Sequence, residues 1–492
     1  MKGLYLRNGV SADALLLILI KLVTSVLGFA VTRLLSQYLT VYDYGTYSQI
    51  LMIVSAVSSL TIFGMMDSIN FFYSVSADTK ERENIVAAMF TMQCVISAVA
   101  GVVVLALSAP LCAYFDNPNI RRLLLFAIAL PMLQNLINMM QVLMISVGKA
   151  KLLAVRNFVV SAIRLLVVLA IVVSIRNVVV ILLTSVLLDI GQIAVFCLVL
   201  KRNGFTVRLG RLSRDYVGRI IRYCAPMATF IIMNNLNRDM DKYLIARLTD
   251  TETLAMYANA SKLLPFEIVI SSFSAVLLPK ITQAIVTREH AKATKLYRVF
   301  LEISYVSTAI MCCAALSASP QLMVLLYTKK YLGGLSIFRV YILVDLLRFT
   351  NITMVLAAAG KTRKLMVFSI ASLMLNAVLN IVLFRLFGME GPAIATLTTT
   401  LVLGICIMSA GAKELETRIW QLFDGKFALL FLAENALLMF AMHKVQRWLD
   451  VKNVHYMAIL AIVCGTYGVI MLLLNGKRLL RALKQVDNHT NS

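Results

Sequence analysis

Apolar stretches long enough to cross a bilayer follow one another along almost the whole 492-residue chain, joined by short connectors rich in Lys and Arg. That alternation leaves few folds open. A hydrocarbon core of roughly 30 Å needs about 20 helical residues, because lipid offers no partner to a backbone N–H or C=O and each span must satisfy its own. The stretches cover residues 12–36, 48–73, 85–111, 123–147, 153–175 and 178–200, then 223–248, 257–286, 297–319, 337–359, 365–387, 392–411, 427–442 and 456–474. We therefore expect an all-α polytopic membrane protein with about 14 transmembrane helices. The hydrophobic share of 60% agrees, since soluble domains hold roughly 45–50%.

A net charge of +23 would suggest nucleic acid in a soluble protein. Here it follows topology. With the N-terminus inside, Lys and Arg gather in alternate connectors, at 80–82, 149–151, 201–222, 288–298, 361–364, 413–426 and beyond 477, as the positive-inside rule requires. Both termini are expected in the cytoplasm, the span count is even, and no nucleic-acid partner is expected. Residues 1–7 are too short and too weakly basic for a secretory signal, so the first stretch is expected to remain as a span. The eight cysteines lie in or beside spans without CxxC spacing and read as small apolar fillers.

The chain also resembles itself. Gly148-Lys149-Ala150-Lys151-Leu152 returns as Gly360-Lys361-Thr362-Arg363-Lys364-Leu365, and Ala106-Leu107-Ser108-Ala109-Pro110 as Ala315-Leu316-Ser317-Ala318-Ser319-Pro320. Six helices separate equivalent elements, so the halves keep one orientation, as parallel repeats do. The expected organisation is a six-helix lobe over 1–200, a basic cytoplasmic linker over 201–222 and a second six-helix lobe over 223–411. Two extra helices follow over 412–475, and a basic cytoplasmic tail over 476–492. Substrate would pass between the two lobes.

Charges inside spans cost roughly 2.5 to 3.5 kcal/mol each at the bilayer centre, so those retained need a partner, a hydrated cavity or a job. Arg164 and Asp189 stand midway along the fifth and sixth helices, and two readings stay open for them: a structural ion pair, or an anion-binding Arg held by its carboxylate. Lys21 lies in the first helix, and Arg33 and Arg247 close the outer ends of the first and seventh, where an interfacial anchor is the simpler reading. The seventh helix carries Asn234, Asn235, Asn237, Arg238, Asp239, Asp241 and Lys242, with Pro226 near its start; the eighth adds Lys262, Glu267 and Lys280. These charges either pair with one another or line a hydrated path. Asp345 and Arg348, spaced i, i+3, can neutralise each other. Asn376 and Asn380 at i, i+4 suit hydrogen bonding between helices, and Glu434 is buried or faces a groove.

Soluble chemistry is missing from the pattern. There is no Walker loop, HExxH or GxSxG, and the longest polar connector leaves no room for a nucleotide-binding domain. Neither an enzyme nor a cofactor is expected.

Three segments resemble the polysaccharide-transporter family of the multidrug, oligosaccharidyl-lipid and polysaccharide exporter superfamily. They are Arg33-Leu34-Leu35 with Tyr44-Gly45-Thr46-Tyr47-Ser48; Leu326-Tyr327-Thr328-Lys329-Lys330-Tyr331; and Gly388-Met389-Glu390-Gly391-Pro392-Ala393-Ile394-Ala395-Thr396. The last departs from the family's pattern in Pro392, tolerable in a first helical turn. The resemblance implies a flippase of the bacterial plasma (inner) membrane. It would move undecaprenyl-pyrophosphate-linked repeat units for O-antigen (lipopolysaccharide), capsule or related glycan from the cytoplasmic to the outer leaflet by alternating access, as a secondary transporter coupled to H+ or Na+. Its partners would be the lipid-linked oligosaccharide, membrane lipids, and the polysaccharide polymerase and chain-length machinery.

A pyrophosphate head asks for a cationic, hydrated lining, and Lys21, Arg164, Arg238 and Lys262 are the candidates. Asp189, Asp239, Asp241 and Glu267 would hold those cations or bind the coupling ion; Arg33 and Arg247 rank lower. A lipid II flippase and a cation-coupled multidrug antiporter share the architecture. The antiporter would want an acidic or aromatic cavity instead. A membrane-embedded glycan polymerase would want a large catalytic outer loop, which the chain lacks.

Overall fold

The computed structural model describes residues 10–66, 68, 69, 72, 79–147, 149–202, 208–210, 212–348 and 353–490. Of the positions singled out above, residues 1–7, 73, Gly148 and part of the linker over 201–222 lie outside them. The described residues form helices joined by turns, with no strand among them. They divide into two compact units, Met1–Ala255 and Met256–Ser492.

The first unit holds α1 (Val10–Tyr38), α2 (Val41–Thr61), α3 (Thr79–Ala106), α4 (Ser108–Phe115), α5 (Asn119–Ala127), α6 (Leu130–Ser146), α7 (Ala150–Ser174), α8 (Val178–Arg202) and α9 (Arg214–Leu248). The division falls inside α10 (Thr251–Ala260). Thr40 starts α2 by accepting the Asp43 N–H at 3.0 Å, and Asp43 in the first turn suits the positive end of the helix dipole. The expected fourth span is split: α5 ends at Ala127 and α6 begins at Leu130 with Pro131 in its first turn, a position that tolerates a missing N–H. α1 lies along α7 and α6 along α8, while α2 and α3 pack on α6 and α9 packs on both. Met65, Ile85, Met89, Met139 and Leu143 form the centre of this packing, each wholly buried. Gly45 is fixed by sterics, since a Cβ there would stand 2.2 Å from the Thr251 carbonyl oxygen.

The second unit holds α11 (Glu267–Val286), α12 (His290–Ser317), α13 (Ser319–Tyr327), α14 (Leu335–Leu347), α15 (Met354–Ala358), α16 (Thr362–Phe387), α17 (Gly391–Glu414), α18 (Gly425–Val451) and α19 (Tyr456–Thr490). α12 is its axis, packed by α11, α14, α18 and α19 and buried along most of its length. α16 and α17 form a tight hairpin. Gly388 turns it at φ 58°, and a Cβ on Gly391 would meet the Leu383 carbonyl oxygen at 2.1 Å. Pro392 sits in the first turn of α17, where it costs no hydrogen bond.

The chain is a multi-pass membrane protein. Among the described residues nine segments are long and apolar enough to cross a bilayer, and one of them, Arg363–Glu414, contains both α16 and α17. Length and composition do not by themselves confirm the expected count of fourteen among the described residues. α9 carries four charges between Arg238 and Lys242, and α10, α13, α14 and α15 are each short.

Candidate functional site: a cationic cavity inside the first unit

α7 and α8 run antiparallel through the first unit and place their charged residues face to face. Each has 25 residues, a length of about 37 Å at 1.5 Å per residue, so Arg164 and Asp189 lie well over 10 Å from either end. Arg164 Nη2 stands 3.1 Å from Asp189 Oδ1, and Asp189 is only 2% exposed. On α8 the same face carries Asp189, Gln192 and Phe196, spaced i, i+3, i+7. Gln192 Nε2 donates to Asp189 Oδ1 at 2.8 Å. Its Oε1 accepts Arg156 Nη2 at 2.6 Å. Arg156 Nη1 donates to Asn157 at 2.9 Å, and the guanidinium carbon lies 4.0 Å from the centroid of the buried Phe196 ring.

A cavity of about 360 Å³ opens onto this row. α7 and α8 contribute Arg156, Arg164, Asp189 and Gln192; α6 contributes Gln134, Asn138 and Gln141; and α1 contributes Thr24. Two guanidiniums face one carboxylate, which leaves the lining with a net charge of +1. Four of its buried polar atoms have no hydrogen-bond partner: Arg156 Nε, Arg164 Nε, Asp189 Oδ2 and Thr24 Oγ1. Buried polar atoms are normally satisfied, and a polar cavity of this size fills with water or with a polar ligand.

The pairing of Arg164 with Asp189 places two of the expected site residues together. The others stand elsewhere. Lys21 is exposed on α1, Arg33 is half-buried near its end, and Arg247 is exposed in the last turn of α9. On α9 the charges pair locally: Lys242 Nζ lies 2.6 Å from Asp239 Oδ1, Arg238 3.8 Å from Asp239, and the buried Asp241 accepts the Lys242 N–H at 2.8 Å. Lys262 and Glu267 belong to the second unit, where Glu267 pairs with Arg348 at 3.1 Å. Arg348 is the C-cap of α14, which frees it from the expected partner; Asp345 instead accepts the Leu264 N–H at 2.8 Å. Asn380 donates to Asn376 within α16 at 3.1 Å, and Glu434 on α18 accepts from Asn475 on α19 at 3.0 Å. None of the eight cysteines forms a disulfide among the described residues.

Arg156 and the carboxamides of α6 escape a reading by charge and depth. Arg156 follows the basic turn at 149–151 closely and reads as part of it, and uncharged amides carry no insertion penalty large enough to stand out. Their spacing was the available signal, since 134, 138 and 141 fall on one helix face.

Two further cavities contain arginines. One of about 250 Å³ lies at the starts of α2, α5 and α8, lined by Asp43, Arg122, Arg176 and Asn177. The other, of about 260 Å³ in the second unit, surrounds Arg478, which binds Glu302, reaches Asp424 at 2.9 Å and lies 3.6 Å over the Phe427 ring.

A family model described as "Polysaccharide biosynthesis protein" matches residues 31–335. No curated protein matches the chain. Among solved structures, the lipid II flippase MurJ in an inward closed conformation is similar at a TM-score of 0.75 and 14% identity, over 94% of this chain and 100% of that one. An inward-facing multidrug resistance MATE family transporter of the MOP superfamily gives 0.64 at 13% identity, over 80% and 94%. A MOP superfamily transporter from Pyrococcus furiosus, described as having a binding pocket of reverse polarity, gives 0.59 at 13% identity, over 82% and 94%. At these identities the likeness establishes a common fold, the all-helical one expected from the sequence.

Proposed function

We propose, from the premise that this chain belongs to the polysaccharide biosynthesis protein family, that it is a flippase of polyprenyl-pyrophosphate-linked oligosaccharide. Its substrate is an undecaprenyl-pyrophosphate-linked repeat unit of O-antigen, capsule or another surface polysaccharide. It carries this from the cytoplasmic to the outer leaflet of a bacterial plasma membrane. The polymerase and chain-length machinery act on the product.

The observation that carries this reading is the sign of the membrane-interior cavity. Two arginines and one carboxylate, set among carboxamides, suit a phosphate-bearing, hydroxylated head. Charge interactions strengthen away from bulk water, so an uncompensated +1 at this depth attracts an anion and repels a cation. That disfavours a cationic-drug antiporter. Asp189 holds Arg164 at a fixed angle through the 3.1 Å contact. Arg156, bonded only to neutral amides, keeps its charge available to a phosphate. The polyprenyl chain remains in lipid throughout.

The experiment is loss of function in the native host. Lipid-linked repeat units should accumulate on the cytoplasmic leaflet while the surface polysaccharide disappears and cells stay viable. Lethal arrest of peptidoglycan synthesis would replace this reading with lipid II transport, and unchanged surface glycan would remove it altogether.

A further inference from the structure

The three carboxamides on α6 pose a problem that the arginines do not solve. Gln134, Asn138 and Gln141 are half-buried, all line the same cavity, and none has a hydrogen-bond partner among the described residues. Their neighbour Asn135 shows what a structural carboxamide looks like in this helix. It donates to the Ser58 carbonyl at 3.0 Å and to Thr61 Oγ1 at 2.9 Å, and accepts from Ser58 Oγ at 2.5 Å. Asn135 faces α2 and is satisfied by it. The other three line the opening, and no described residue bonds them.

An amide side chain offers both donors and an acceptor, the complement of a hydroxyl, which also does both. The spacing i, i+4, i+7 puts the three on one face over about 10 Å of axis. Arg156 and Gln141 lie at nearly equal distances in sequence from the turn at 147–149, as do Arg164 and Gln134. Each arginine on α7 therefore has an amide on α6 at its own depth. Asp189 is the single carboxylate of the lining, its Oδ1 is held by Arg164 and Gln192, and two arginines outweigh it, so the net positive charge disfavours a cationic sugar.

We infer that Gln134, Asn138 and Gln141 form a hydroxyl-reading subsite that recognises neutral sugar linked to the phosphate, beside arginines that bind the phosphate itself. This rests on the flippase reading and names the part of the substrate that sets selectivity.

The test compares two ligands on purified protein in lipid nanodiscs: undecaprenyl pyrophosphate, and the same lipid carrying a neutral disaccharide. The wild-type protein should bind the glycosylated lipid at least about tenfold more tightly, the lower end of the increment expected of two or three net hydrogen bonds. The triple variant Gln134→Leu, Asn138→Leu, Gln141→Leu should lose that advantage and bind the bare lipid as before. Exchanging amide for amide, Gln134→Asn with Gln141→Asn, should retain part of it. The inference is overturned if the triple variant keeps its preference, if both lipids weaken together, or if the wild type shows no preference. Binding of the bare lipid alone by the wild type would leave the flippase reading standing without this subsite. Binding of neither would remove both.

Discussion

Arg156→Gln and Arg164→Gln take the same unit of charge from the same cavity, yet the geometry predicts opposite consequences. Arg164, its side chain 41% exposed, contacts a carboxylate that is 2% exposed; breaking a fully buried ion pair costs about 3 to 5 kcal/mol because the remaining charge is left without compensation, and this half-exposed pair lies below that range. Here the cost falls toward about 2 to 3 kcal/mol, since Gln192 still donates to Asp189 at 2.8 Å and a hydrogen bond to a charged group is worth about 1.5 to 3 kcal/mol. Arg156 has no carboxylate partner. It loses two bonds to neutral amides, at 2.6 and 2.9 Å, but leaves no buried charge behind, a glutamine can remake part of them, and repulsion from Arg164 is relieved. The net loss is expected to be smaller than for Arg164→Gln. Thermal unfolding in detergent, followed with a dye that reports newly exposed thiols, suits a protein whose Cys224 and Cys312 are buried and form no disulfide. Arg164→Gln should unfold at the lower temperature, whereas Arg156→Gln should be the variant that stays folded and loses pyrophosphate binding. The double change Arg164→Gln with Asp189→Asn should recover stability. Greater instability of Arg156→Gln than of Arg164→Gln, or wild-type pyrophosphate binding by Arg156→Gln, would refute the division of roles.

Gly45→Ala and Gly391→Ala each drive a Cβ to within 2.2 Å of a backbone oxygen and should cost about 1 to 3 kcal/mol by forced displacement, seen as reduced yield and earlier thermal unfolding; normal yield of both would contradict the packing. In export assays Arg164→Ala should impair transport more than Arg33→Ala, because Arg33 stands near the end of α1; equal activity would remove the midplane argument. The Arg478 guanidinium holds the Asp424 carboxyl below the usual carboxylate range. A carboxyl depressed in the folded state stabilises fully above its unfolded value of about 3.9 and loses that contribution as pH falls through the lower folded value. Protection from hydrogen exchange at the start of α18, relative to the intrinsic rate at each pH, should therefore fall below about pH 4 in the wild type and be low already at neutral pH in Asp424→Ala. Orientation is read by labelling. Asn117 and Thr251 are buried and hydrogen-bonded, so cysteines at the exposed Glu252 and Glu416 are the better probes, with the first reached from outside and the second from inside.

Helical spans were legible because a lipid-facing segment must close its own hydrogen bonds, which makes twenty apolar residues nearly sufficient evidence. The pairing of Arg164 with Asp189 was legible for a related reason: two charges at equal depth on consecutive helices have few other ways to be tolerated. Tertiary partners were harder to read. Asp345 and Arg348 are neighbours in sequence, yet α14 ends between them at Leu347, and each finds a partner on residues 264–267. The breaks at Leu107 and at Ile128–Ala129 leave the apolar run intact, so hydropathy passes over them. Gly45 and Gly391 stood out in sequence only as parts of family-like motifs. The coordinates supply the reason, an approaching backbone carbonyl that no periodicity encodes.

Arg478 gives α18 and α19 a mechanical identity. One guanidinium, late in α19, grips Glu302 on α12 and Asp424 at the threshold of α18 while resting on the Phe427 ring. These two helices follow the lobe expected over 223–411. The guanidinium adds a charged clasp to the apolar packing of both helices on α12. α18 and α19 therefore follow α12 as part of one body, and Arg478→Ala would remove the clasp while leaving that packing in place.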